Sequence, residues 1–155
     1  MIIGKGRAEM KTAVVYYTFG GSTKKEAERL AKENGSELCR VYEVRNRSLF
    51  GAFVIGGYQS LKRKATVIKP LNVNLKEYDR ITILCPVWAG YPVPAFNAIA
   101  ALLPSGKEVE VVLCSGGGET PKSEQGTKKL IEDKGCKLIS YRDVKTGAMP
   151  AKSKE

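Results

Sequence analysis

Three short segments hold most of the chemistry this sequence can offer: Thr18-Phe19-Gly20-Gly21-Ser22-Thr23, Pro86-Val87-Trp88-Ala89-Gly90 and Ser115-Gly116-Gly117-Gly118. The first runs straight into a helical pattern. Its glycines permit a tight turn in which backbone N–H groups converge, and three hydroxyls add donors. Such donors at the positive end of a helix suit a phosphate group. An ordinary strand-to-helix turn reads the same way. No Gly-Lys-Ser/Thr closes the segment and no G-x-G-x-x-G is present, so neither nucleotide fingerprint applies. The second segment carries the sole tryptophan. Its indole offers a flat face to a planar ligand, although a lone tryptophan is more often a packing residue. The third segment either passes its amides along a ligand edge or simply connects two elements.

What the chain lacks narrows the rest. Among 155 residues there is no histidine, which removes Ser-His and Cys-His nucleophile pairs, histidine metal ligands and histidine proton relays. Cys39, Cys85, Cys114 and Cys136 are widely spaced and sit in or beside apolar runs. They read as small core hydrophobes in a reducing compartment, with a four-thiolate metal site as the lesser alternative. Met1-Ile2-Ile3 is too short for a signal-peptide core, and no apolar run reaches membrane-spanning length. The expectation is a soluble cytoplasmic domain. Residues 1–10 are expected to be a flexible leader, with Met1 and Met10 both open as the native start. The domain proper is expected over 11–143, with a solvated tail over 144–155.

The elements that must position the three segments follow from periodicity. Strands are predicted at Thr12–Thr18, Ser36–Val44, Arg80–Val87, Glu108–Ser115 and Cys136–Tyr141. Helices are predicted between them. The first opens with a Thr23/Glu26 capping box and stops at Gly35. Glycine-rich residues 49–61 supply the second, and Pro94 to Leu103 the third. The fourth has Thr120 as N-cap, Pro121 at its first position and Gly135 as its stop. Strands alternating with helices imply an α/β domain with a parallel sheet, whose ligands bind beyond the carboxyl ends of its strands. All three segments lie at such ends.

Together, T-F-G-G-S-T after the first strand, Y-D-R-I-T-I-L-C-P-V-W-A-G at the third and L-C-S-G-G-G after the fourth resemble the flavodoxin family. The similarity is narrower to small flavodoxin-like proteins with a P-V-W-A-G second loop, and it covers roughly Lys11 to Tyr141. The resemblance implies a flavodoxin-like three-layer sandwich with a five-stranded parallel sheet of order 2-1-3-4-5 and FMN at the switch point, an order that general accounts of this fold illustrate with flavodoxin itself. By the same resemblance, Thr18, Phe19, Gly20, Gly21, Ser22 and Thr23 would hold the FMN phosphate. Pro86, Val87, Trp88, Ala89 and Gly90 would line one side of the isoalloxazine, and Ser115, Gly116, Gly117 and Gly118 the other.

The sequence departs from the family's pattern in several places. Gly20 stands where threonine is usual and Ser22 where asparagine is usual. The third loop has no aromatic to stack on a flavin. Residues 144–155 do not resemble the terminal helix, which is therefore expected to be missing. Its loss would bare an apolar sheet face at Leu84, Val112 and Ile139 and invite the leader, the tail or a second subunit onto it as a homodimer. The net charge of +10 is also unlike the acidic carriers of the family. Between Val44 and Lys76 there are seven basic residues and no acidic one.

The resemblance implies an FMN-binding electron carrier whose cofactor supplies the redox chemistry. The alternative within that class is a small NAD(P)H-dependent reductase of quinones or similar acceptors. A third alternative is a flavin-free binding module using the basic surface. The charge predicts an acidic redox partner or a phosphate-bearing reductant such as NAD(P)H. No nucleic-acid recognition motif accompanies the lysines, and nothing calls for a membrane.

Overall fold

The computed structural model describes residues 10–45, 48 and 51–146. Strands β1 (Thr12–Tyr16), β2 (Glu37–Arg40), β3 (Arg80–Trp88), β5 (Glu108–Ser115) and β6 (Lys137–Lys145) form one parallel sheet. Their order is β2-β1-β3-β5-β6, and a two-residue strand, β4 (Tyr91–Pro92), pairs antiparallel with β3. Apart from that hairpin strand, the order is the expected 2-1-3-4-5. Helix α1 spans Ser22–Asn34. A π-helical turn, Ala52–Gly56, leads into α2 (Gly57–Leu61), and a 3₁₀ turn covers Leu75–Glu77. Helices α3 (Pro94–Ala101) and α4 (Glu124–Asp133) follow. No helix is long and apolar enough to cross a membrane among the described residues.

Alternation along the strands divides the core into two. Ala13 and Val15 of β1, Ile81, Ile83 and Cys85 of β3, and Val109, Val111 and Leu113 of β5 face Phe96 and Ile99 of α3 and Ile131 of α4. Each fully buried side chain of this size contributes roughly 1.5–3 kcal/mol. The other face packs Val14, Tyr16, Leu84 and Val112 against Ala27, Leu30 and Ala31 of α1.

The expected bare patch on this second face is not found among the described residues. Leu84 and Val112 are fully buried within the α1 cluster, because the register sets them side by side next to Tyr16. Ile139 is half-buried beside a bulge in β6. Toward the amino ends of the strands the same face turns polar. There Thr82 donates to the Glu110 carboxylate at 2.8 Å, and Arg80 pairs with Glu108 at 2.8 Å. Where no described helix covers it, this face is built from hydrogen-bonded polar side chains. The expected leader up to Glu9, the tail beyond Thr146 and the start of the 49–61 helix lie outside the described residues.

Several boundaries differ from expectation. Strand β2 ends at Arg40, short of the expected Val44, β1 ends at Tyr16 and α3 at Ala101. Helix α1 starts at Ser22, so Thr23 is inside it and Glu26 pairs with Arg29 instead of closing a capping box. Helix α4 starts at Glu124 because the Thr120 hydroxyl is committed elsewhere. Strand β6 runs on to Lys145, past the expected domain edge.

All four cysteines are buried free thiols. Burial pushes the Cys39 and Cys85 thiols up, and Cys114 to about 11. In the unfolded chain a thiol ionises near ~8.5. Above that pH the unfolded chain holds fewer protons than the folded one, so stability falls as pH rises. The slope approaches about 1.4 kcal/mol per pH unit for each thiol still protonated in the fold. The guanidinium midpoint should therefore drop steadily through this alkaline window; a midpoint that stays level would remove the thiols as the cause.

Candidate functional site

The first loop leaves β1 when the Tyr17 N–H donates to the Leu84 carbonyl at 3.1 Å. Thr18 is buried, and its Oγ1 accepts from the Gly21 N–H at 3.0 Å, which curls the loop over its own start. Gly21 takes φ 102° and ψ −16°, a conformation open to glycine, and becomes the N-cap of α1. No side chain caps that helix. Its first intrahelical bond runs from the Lys25 N–H to the Gly21 carbonyl, so the N–H groups of Ser22, Thr23 and Lys24 have no acceptor within the helix.

Trp88 ends β3, and Ala89 and Gly90 follow at φ 56° and 83°. With Trp88 paired to Tyr91 across them, they form the two-residue hairpin turn that requires positive φ at both central positions. The Trp88 indole is only 5 % exposed. It meets Phe19 and Tyr17 edge-on, with ring centroids at 5.6 and 6.4 Å. Most of its surface is therefore spent on packing, and it fixes the first loop to the second.

The third loop closes when Ser115 Oγ accepts from the Gly118 N–H at 2.9 Å. The Thr146 N–H donates to the Ser115 carbonyl at 2.8 Å, bringing the end of β6 alongside. Below the loop, Thr120 Oγ1 donates to Asp143 Oδ1 at 2.7 Å, so the Tyr141 hydroxyl donates to Thr120 at 2.6 Å. Ser123 Oγ completes the cluster, 3.2 Å from Tyr141. This network sets where the loop leaves β5.

The three loops surround a hollow of about 110 Å³. Thr18, Phe19, Gly20, Ser22 and Thr23 line it from the first loop, Pro86, Val87 and Trp88 from the second, and Ser115 and Gly116 from the third. Gly21, Ala89, Gly90, Gly117 and Gly118 do not line it. Gly21 shapes the loop from behind, and the other four lie farther along their turns. Cys114 and Thr146 also line the hollow and were not anticipated. Cys114 is expected in the core of β5, and its thiol lies beside the Thr23 side chain. Thr146 lies in the expected tail, and the pairing of β6 with β5 brings it to the hollow.

A second contact braces this end of the sheet. Arg63, at φ 53°, donates to the Ser123 carbonyl at 2.8 Å and to Thr127 Oγ1 at 3.2 Å, and its guanidinium lies 5.2 Å from the Tyr91 ring centre. The contact depends on Gly126, where a Cβ would stand 2.8 Å from an Arg63 nitrogen. Gly126→Ala should cost about 1 kcal/mol net, the lost Arg63 bonds outweighing the helix propensity gained. In an Arg63→Ala background the same change should stabilise by about 1 kcal/mol. Urea unfolding of the four proteins measures this; the same sign in both backgrounds would show that Gly126 is not there to admit Arg63.

No protein-family profile matches the sequence, and no curated protein matches it. Solved structures do. A flavoprotein from Lactobacillus acidophilus, determined in complex with FMN, superposes with a TM-score of 0.72 at 26% identity, over 86% of this chain and 92% of that one. A chain from Bacteroides uniformis assigned as a flavoprotein gives 0.77 at 17% identity, over 92% and 94%. The two-electron reduced flavodoxin of Megasphaera elsdenii gives 0.56 at 18% identity, over 88% of each chain. With the strand order, the hollow at the switch point and these likenesses, the chain has the flavodoxin-like fold.

Proposed function

We propose that this chain binds FMN non-covalently at the hollow and exchanges single electrons or hydride equivalents with partners through it. The observation that carries the reading is the uncapped start of α1. Three backbone N–H groups without intrahelical acceptors lie where the Ser22 and Thr23 side chains line the hollow. An anion there satisfies them and meets the positive end of the helix. The hollow suits a phosphate and the polyol next to it, leaving a ring system to rest across the rim formed by Val87, Trp88 and Gly116. The likeness to the FMN-bound Lactobacillus flavoprotein points the same way.

FMN supplies the electron-accepting ring. The chain binds and orients it: Thr18 and Gly21 hold the phosphate loop, Trp88 ties that loop to the second, and the Ser115–Gly118 turn borders the far side. The purified protein should be yellow and should release FMN on denaturation; the FMN-free apoprotein should quench the fluorescence of added FMN. A colourless protein that leaves FMN fluorescence unchanged would sink the reading and return the flavin-free binding module to first place.

We read the chain as a carrier. The reductase alternative draws support from the third loop, which has no aromatic to cover the ring. Turnover of NAD(P)H with a quinone in the absence of any other protein would favour it. Four buried free thiols suit a reducing compartment, so we place the protein in the cytoplasm.

A further inference from the structure

The crossover between β2 and β3 is built inside out. In its helical part the small residues Ala52, Gly56, Gly57 and Ser60 face inward, while Val54, Ile55, Tyr58 and Leu61 are each about half exposed. The small residues let the helix approach the Trp88–Tyr91 hairpin, where a Cβ on Gly57 would stand 3.6 Å from the Ala89 Cβ. The π-helical turn, closed by the Gly57 N–H on the Ala52 carbonyl, adds the residue that sets this orientation. Beside the helix, the Val44 N–H donates to the Val67 carbonyl at 2.9 Å, and both side chains are exposed, Val67 by 72 %. Val44, Val67 and Ile55 line one hollow of about 480 Å³. Apart from Met10 and Leu102, the exposed large apolar side chains among the described residues all belong to this crossover.

Charge identifies the occupant. Arg45, Lys62, Lys64 and Lys69 are exposed on the same crossover, no acidic residue occurs from Val44 to Lys76, and Glu43, the acid that lines the hollow, accepts from the Tyr17 hydroxyl at 2.7 Å. A second copy docked symmetrically would bring two such fields together. Nucleic acid would leave the valines, isoleucine and leucine unburied. A bilayer favours a continuous convex apolar edge, whereas Val44, Ile55 and Val67 line a hollow. Aromatic and aliphatic residues beside exposed basic ones match the apolar centre and charged border of a protein interface.

We infer that the outward face of the β2–β3 crossover is the docking surface for a protein partner with an acidic face and an apolar centre. The docking itself stands on this surface alone; its use for electron exchange rests on the FMN reading. Calorimetric titration of the full chain with a plant-type [2Fe–2S] ferredoxin, an acidic protein of similar size, tests it, with cytochrome c as the basic control. Ferredoxin should bind at low salt and weaken at least tenfold as salt is raised through the screening range. The pairs Lys62→Glu/Lys64→Glu and Tyr58→Ala/Leu61→Ala should each weaken it about tenfold, with FMN affinity unchanged. The inference is overturned if ferredoxin fails to bind, if either pair binds it as the parent does, or if cytochrome c binds equally. Self-association or binding to phosphatidylserine vesicles that Tyr58→Ala/Leu61→Ala abolishes, without ferredoxin binding, would reassign the surface. An FMN titration of the same samples reports separately on the cofactor.

Discussion

Gly21→Ala should weaken FMN binding by about tenfold or more while leaving riboflavin, which lacks the phosphate, almost unaffected. At φ 102° a Cβ meets backbone strain of roughly 1–3 kcal/mol. The loop can keep its shape and lose that much stability, or relax toward negative φ. Relaxation breaks the Gly21 N–H bond to Thr18 and swings the first N–H groups of α1 away from the hollow. Relaxation is the cheaper course, and it degrades the cradle for an anion while sparing contacts to a ring at the rim. Fluorescence titrations of both flavins provide the comparison. A parallel loss for FMN and riboflavin would mean that Gly21 supports the ring side, and no loss for either would remove the first loop from the site.

Trp88→Ala should cost about 3–5 kcal/mol of folding free energy, the range for deleting a large buried aromatic. The indole is almost fully buried between Phe19 and Tyr17, and its removal leaves a cavity under two of the three loops. Since it is the sole tryptophan, unfolding must be followed by circular dichroism rather than by intrinsic indole emission. Trp88→Phe retains one ring and should lose less than half as much. A residue whose main role was to stack on a ligand would behave differently: its truncation would spare the apoprotein and harm only flavin binding. A stability loss below about 1 kcal/mol would favour that second role, since surface changes rarely exceed it.

The alkaline prediction and the Gly126 cycle address the same architecture from other sides. The first asks whether three thiols are buried as deeply as their strands suggest. The second asks whether one arginine holds the crossover onto α4 and the hairpin. Both are measurable without any ligand.

The strands and the three loops were legible because each depends on local pattern, whereas the order of the strands followed from the resemblance to the flavodoxin family. After Thr12 the first strand is wholly apolar, and Ile81–Cys85 and Val109–Cys114 are apolar runs interrupted once each, by Thr82 and Glu110; runs of this length and composition are largely buried on both faces. Gly35 and Gly135 stop helices in left-handed conformations that their sequence positions already announced. Most of the expected site residues then came together, since the C-terminal ends of parallel strands are one place in space.

What the pattern could not decide was set by contacts between distant residues. Thr23 was read as a cap, but a glycine able to adopt φ 102° moved the helix start and left its N–H groups free for a ligand. Thr120 has the right chemistry to cap α4, yet Tyr141 and Asp143 compete for its hydroxyl from β6. The polar ladder of Thr82 with Glu110 and Arg80 with Glu108 spans two strands, so neither strand alone shows that these side chains satisfy one another on that face.

The sequence by itself determined the sheet, its crossovers and the loops that meet at its carboxyl edge, because strand burial and glycine conformation are properties of short segments. Only the tertiary structure decided that Trp88 packs rather than lies bare, that Thr146 joins the hollow, and that the crossover turns its apolar side outward. Each of those depends on which distant backbone comes close enough to fill or vacate a volume, and no periodicity in a single segment records that.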